Sequence, residues 1–187
     1  MIEFPNKKYN IIYADPPWHY DKRNEGNRNV QQKYDTMTFK DIYNLPISYI
    51  ADKNSILCLW VNYPKIPQCI ETISQWGFEY KTCAFSWVKK NKKSDSFFMG
   101  MGNWTRANNE ICLLATKGSI KRISASVRQI VYAPIENHSK KPTEVRQRIV
   151  DLVGDLPRIE LFARQTAEGW DSWGNEVEEE KQISLIK

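Results

Sequence analysis

Histidine is nearly missing from this chain: His19 and His138 are the only two in 187 residues. A histidine-rich metal site is thereby excluded. Cysteine is also sparse. Cys58, Cys69, Cys83 and Cys112 are widely spaced with no CxxC pair, so neither a zinc cluster nor a disulfide framework is indicated. Three of the four lie among apolar or aromatic neighbours and read as reduced core thiols, and no metal is expected. Long apolar runs are absent as well. The longest, Ser55–Val61, falls far short of the roughly 20 residues a membrane helix needs. Residues 2–8 (IEFPNKK) lack the apolar segment of a secretory signal. There are no repeats, linkers or low-complexity tracts, and no zinc-finger or RNA-recognition signature. These absences lead us to expect a soluble, cytoplasmic protein with no membrane partner. Its length suits a single domain over residues 1–176, followed by an acidic tail at 177–187 that frays.

Positive charge is present in modest excess and unevenly placed. The formal net charge is +5, and the whole surplus falls in residues 1–93. Two polar stretches hold the crowding: Lys22, Arg23, Arg28 and Lys33, then Lys89, Lys90, Lys92 and Lys93. Aromatics interleave with them, namely Trp18, Tyr20 and Tyr34 in the first and Trp87, Phe97, Phe98 and Trp104 in the second. Cations pair with phosphates and aromatic rings stack on bases, so nucleic acid is a natural partner. A solvated lysine-rich face would produce the same composition.

Strands and helices alternate along the chain. Tyr9–Ala14, Ser55–Val61, 79–88, Glu110–Thr116, 129–132 and Arg158–Phe162 read as strands. Thr38 caps a helix start with Asp41 three residues on. Pro64 opens a second helix with Ile66, Cys69, Ile70 and Ile73 on one face, stopped by Gly77. A third follows Pro142, with Val145, Ile149, Leu152 and Val153 at helical spacing. The pattern predicts an α/β fold with a mostly parallel sheet and helices on both faces. In such sheets ligands bind at the carboxyl ends of the strands, where Asp15, the residues after Trp87 and those after Phe162 all fall.

Asp15-Pro16-Pro17-Trp18 ends the first strand. The carboxylate is held by the strand and still reaches the crevice. The prolines fix φ and offer no backbone N–H, so their carbonyls are aimed acceptors. Trp18 brings a flat face. One carboxylate, one carbonyl and one ring suit a planar exocyclic amine, although a tryptophan-anchored turn would use the same residues.

The DPPW run does not stand alone. Tyr34-Asp35-Thr36-Met37 resembles a Y-x-T-M segment, Leu57–Val61 an LFLWV strand, and Trp87-Val88-Lys89 a WVK. Trp104, Glu110 and Lys117-Gly118 follow in order, then His138–Pro142 like S-H-K-P, Ile159–Arg164 like IELFGR, and Trp170–Asn175. Together, over residues 9–176, they resemble the MT-A70 family of adenine-N6 methyltransferases in its compact bacterial and phage form. The resemblance implies a permuted Rossmann-like fold and S-adenosylmethionine as cofactor. It implies that Asp15 and the Pro16 carbonyl, with Pro17 stiffening the turn, hold the adenine amine while Trp18 packs near the base. For the cofactor it implies Asp15, Lys141, Phe162, Arg164 and Asn175. Gln165-Thr166-Ala167 departs from the P-H-N of animal members, leaving Thr166 as a weak substitute for a histidine. Glu176 stands where those members carry glutamine, and the acidic residue they carry upstream of the motif is expected to have no equivalent.

Nucleic-acid contacts are expected from Tyr20, Lys22, Arg23, Arg28, Tyr34, Trp87, Lys89, Lys90, Lys92, Lys93 and Trp104. The compact form favours DNA over RNA as substrate. A homodimer or a paired subunit is the expected way for so small an enzyme to build a recognition surface. Non-catalytic subunits of the family have lost DPPW, which is intact here.

Overall fold

The computed structural model describes residues 3–19, 36–102, 104–136 and 140–177. Its centre is a seven-stranded sheet of β1 (Tyr9–Ala14), β2 (Ala51–Val61), β3 (Glu79–Lys90), β4 (Asn109–Lys117), β5 (Ile130–Pro134), β6 (Arg158–Leu161) and β7 (Asp171–Trp173). The order across the sheet is β5-β3-β4-β2-β1-β6-β7. Every neighbouring pair is parallel except those made by β4, which runs antiparallel between β2 and β3. Helices α1 (Phe39–Tyr43), α2 (Ile47–Ile50), α3 (Ile66–Gln75) and α4 (Glu144–Val153), with a short 3-10 helix at Tyr63–Lys65, complete the described elements.

Period-two alternation in the central strands supplies both cores. Ile12, Ala14, Leu57, Leu59, Val61, Leu113 and Ala115 face one side, with Ile42, Cys69, Ile73 and Trp76 from the α1–α3 layer. Ile11, Tyr13, Ile56, Cys58, Trp60 and Cys112 face the other, where α4 lays down Val145, Ile149 and Val153. Buried indoles keep their N–H groups bonded. Trp76 donates to the Ile42 carbonyl at 2.8 Å, Trp87 to that of Ala133 at 2.9 Å, and Trp60 to the Tyr13 hydroxyl at 2.6 Å. Each bond spares the core an unsatisfied donor.

The sheet and its helical layers match the sequence expectation, and Thr38 caps α1 by accepting from the Asp41 N–H at 3.1 Å. The antiparallel fourth strand, a hairpin-like return from β3, falls within the expected mostly parallel sheet. Two details differ. Asp171–Trp173, expected only to close the domain, is a strand on β6. β3 runs on to Lys90, so Lys89 and Lys90 belong to a strand rather than a loop. All four cysteines are free thiols, and burial pushes that of Cys69 up to about 12.

Candidate active site

β1 pairs with β2 on one side and with β6, a strand from near the other end of the sequence, on the other. The strand order reverses there, which opens a crevice at the carboxyl ends of β1 and β6. Asp15 is the first residue past β1 and stands in that crevice with its side chain 31% exposed. Lys141, just before α4, brings its Nζ to 2.7 Å from Asp15 Oδ2 and 3.2 Å from Glu110 Oε2. Glu110, at the start of β4, holds Lys89 Nζ at 2.5 Å through its other oxygen. Negative and positive groups thus alternate from the crevice to the end of β3. Indole rings floor the chain: Lys141 lies 5.6 Å from the Trp60 ring centre and Lys89 5.0 Å from that of Trp87.

Burial would push the Lys141 ammonium down, but Asp15 and Glu110 outweigh it and hold the group above the usual lysine range. Burial would likewise raise Glu110, yet Lys141 and Lys89 keep it below the usual carboxylate range. Asp15 goes the other way. Burial raises its carboxyl and Glu110 adds to the rise, while Lys141 and, more weakly, Arg164 pull it down.

The rest of DPPW builds the turn. The Pro16 carbonyl accepts from the Trp18 N–H at 2.8 Å and keeps a second lone pair, while the Pro17 carbonyl accepts from the Met37 N–H at 3.0 Å. Trp18 corrects the sequence expectation. Its side chain is packed into the core at 5% exposure, with Nε1 donating to the Trp60 carbonyl at 3.0 Å. It anchors the turn and offers no open face to a base. Trp87 is corrected for the same reason: at 1% exposure it is core, tied to Ala133.

At the β6 end, Phe162 adopts φ 60°, uncommon for a residue with a side chain. Its half-buried ring stands edge-on to Trp173 at 5.5 Å. Gly174 lets the chain after β7 pass close by, since a Cβ there would lie 2.2 Å from the Ala163 carbonyl oxygen. Arg164 reaches Glu176 at 3.6 Å, and Thr166 and Asn175 are exposed. The lysine cluster divides. Lys89 belongs to the buried charge chain, and Lys90 pairs with Asp95 under the Tyr132 ring. Lys92, Lys93 and Trp104 are exposed. Tyr20, Lys22, Arg23, Arg28 and Tyr34 lie outside the described residues, as does His138. Sequence reasoning assigned Glu110 no role; the signal available was a lone acid opening an apolar strand, and its place opposite Trp87 comes from the β3–β4 pairing.

An α/β sheet of this order, with an acid-led Asp-Pro-Pro turn at its switch point, is the arrangement of an S-adenosylmethionine-dependent methyltransferase. The chain belongs to the MT-A70 family, whose family model matches residues 9–176. It is similar to the Type II methyltransferase M.MunI of Mycoplasma sp, 35% identical over 96% of this chain and 82% of that protein. It is also similar to the human N(6)-adenosine-methyltransferase catalytic subunit METTL3, at 27% over 91% of this chain but 28% of that protein. A further relative is the non-catalytic subunit MTB of Arabidopsis thaliana, at 34% over 69% of this chain and 16% of that protein. The family uses S-adenosylmethionine, and the groups present fit it. The crevice presents a carboxylate (Asp15), an ammonium (Lys141), a guanidinium (Arg164), an amide (Asn175) and a half-buried aromatic ring (Phe162), the kinds of group that a charged, ribose-bearing, aromatic molecule can meet. No described helix is long and apolar enough to cross a membrane.

Proposed function

We propose that this chain methylates N6 of adenine in DNA. The observation that carries the reading is the buried Asp15–Lys141–Glu110 chain, which fixes one carboxylate at the mouth of the switch-point crevice. Adenine N6 is a weak nucleophile because its lone pair is delocalised into the ring. Asp15 and the remaining lone pair of the Pro16 carbonyl accept its two N–H bonds, which favours the pyramidal nitrogen of the transition state. Lys141 offsets part of the burial that favours the protonated form of Asp15 and aims its carboxylate, and Glu110 keeps Lys141 in place. The cofactor, when bound, supplies an electrophilic methyl group. Phe162, Arg164 and Asn175 hold the adenosine side of the crevice, with Thr166 at its rim. Once N6 has become a cationic amine, Asp15 is placed to take the proton it sheds, its pKa being raised by burial.

DNA is favoured because the relative matched along most of its own length is a Type II methyltransferase, whereas METTL3 is matched over 28%. The test is transfer of tritium from labelled S-adenosylmethionine to native DNA, heat-denatured DNA and RNA, with the product nucleoside identified. N6-methyladenine in DNA is expected. Label confined to RNA would reassign the substrate, and no label anywhere despite measurable cofactor binding would sink the enzyme reading.

A further inference from the structure

Residues 91–102 and 104–108 lie between β3, which ends beside Lys89, and β4, which begins beside Glu110, so the loop is rooted on the buried charge chain. Backbone hydrogen bonds tie its two described runs together. The Phe98 N–H donates to the Lys89 carbonyl at 2.8 Å, Gly100 to that of Ala107 at 2.9 Å, and Lys89 to that of Asn108 at 2.8 Å. The two runs of backbone approach so closely that a Cβ on Gly100 would lie 2.5 Å from the Ala107 oxygen, and one on Gly102 1.9 Å from that of Thr105. Yet the end of this built loop carries large apolar side chains into solvent: Met99, Met101 and Trp104, the last 99% exposed. Lys92, Lys93 and Arg106 are exposed around them.

We infer that this loop is a wedge that enters duplex DNA beside the target adenine and fills the space the adenine leaves. The inference rests on the DNA reading above. A base inside a duplex cannot reach Asp15, whose carboxylate is two-thirds buried in the crevice at the carboxyl end of β1, so it has to be extruded. Extrusion leaves a gap the height of a base pair, and flexible or planar apolar side chains are the groups that fill such gaps. Exposed apolar surface on a stiff loop marks a partner. The cations around it select a polyanion, and its root on Lys89 and Glu110 sets it next to the crevice.

The test compares the wild type with a Met99→Ala/Met101→Ala/Trp104→Ala variant and with Trp104→Ala alone. Methyl transfer is measured on one plasmid from a host lacking adenine methylation, native and heat-denatured, with thermal melting of each variant as the folding control. The native-to-denatured ratio of kcat/KM should fall tenfold or more in the triple variant and about threefold in the single one, because only the duplex needs extrusion. The loss should be smaller on negatively supercoiled than on relaxed plasmid. An unchanged ratio, whether both activities fall together or neither moves, overturns the wedge while leaving the adenine methyltransferase reading standing. An equal loss accompanied by dissociation of a wild-type dimer overturns it in favour of contact with a second copy. Wild-type transfer to RNA alone overturns the DNA reading and the wedge together.

Discussion

The two halves of the crevice are built differently. On the β1 side, Asp15, Lys141 and Glu110 form a continuous ion-paired chain, with Lys141 only 11% exposed. On the β6 side, Arg164 meets Glu176 across 3.6 Å with side chains 32% and 57% exposed, and Asn175 and Thr166 are exposed. Groups that stabilise a transition state work best when already in place, since reorganisation at the moment of reaction is costly. Groups that hold a large, flexible ligand tolerate looser placement. On the function proposed above, the β1 side is the one suited to the chemistry and the β6 side the one suited to affinity.

Asp15→Ala breaks the comparison most severely. It should lower kcat by about 10³-fold, the upper range for one transition-state hydrogen-bonding group, while cofactor affinity by calorimetry changes less than tenfold. Equal losses in both would erase the distinction between the halves. Arg146→Ala tests the support beneath them. Arg146 joins α4 to Glu160 on β6 through bonds of 2.5 and 2.9 Å, both side chains mostly buried. Removing it strands a buried carboxylate, so urea unfolding should show a loss of about 3–5 kcal/mol. A much smaller loss is expected for the Arg146→Leu/Glu160→Leu double change, which removes both charges.

Glu110→Gln separates charge from shape. Glu110 raises the Asp15 pKa, and its removal leaves Lys141 to Asp15 alone, so both changes favour ionised Asp15. The acidic limb of kcat/KM should move to lower pH, with kcat falling about tenfold as Lys141 loses its second anchor. A limb moving upward would refute the assignment. The stability effect has its own sign. Because Glu110 is held below its ordinary 4.5, its contribution is present above that pH and is lost as pH falls through the folded value. Wild type and Glu110→Gln should therefore converge in stability in that acid range.

Legibility in the sequence followed locality. β1, the core faces of α3 and α4, and the pairing of an acid-led turn with later cationic positions could be read from short stretches, because strand and helix periods are local. Asp15 was exposed as a candidate by the residues beside it. Glu110 was not. Its role depends on β4 inserting antiparallel between β2 and β3, which brings it against Lys89, 21 residues away in sequence. Trp18 and Trp87 misled for a related reason. An indole beside a polar stretch looks like a stacking platform, and only tertiary packing reveals that its N–H is used to satisfy a core carbonyl. Trp104 has the same composition around it and the opposite fate.

The smaller effects sharpen the affinity side. Arg164→Ala should weaken cofactor binding about tenfold, equivalent to about 1.4 kcal/mol, with kcat within about threefold; a kcat loss as large as that of Glu110→Gln would move Arg164 into the chemistry. The lysines of the β3 end are not equivalent either. Lys89 pairs with Glu110 and Lys90 with Asp95; Lys92 and Lys93 are exposed on the loop that follows. Replacing Lys92 and Lys93 with serine should therefore reduce the slope of log affinity against log salt by about 1–2. The Lys90→Ser change should leave the slope nearly unaltered, because its charge is already balanced. A slope unaffected by the Lys92/Lys93 change would return that pair to an ordinary solvated surface and detach the loop from the phosphate backbone.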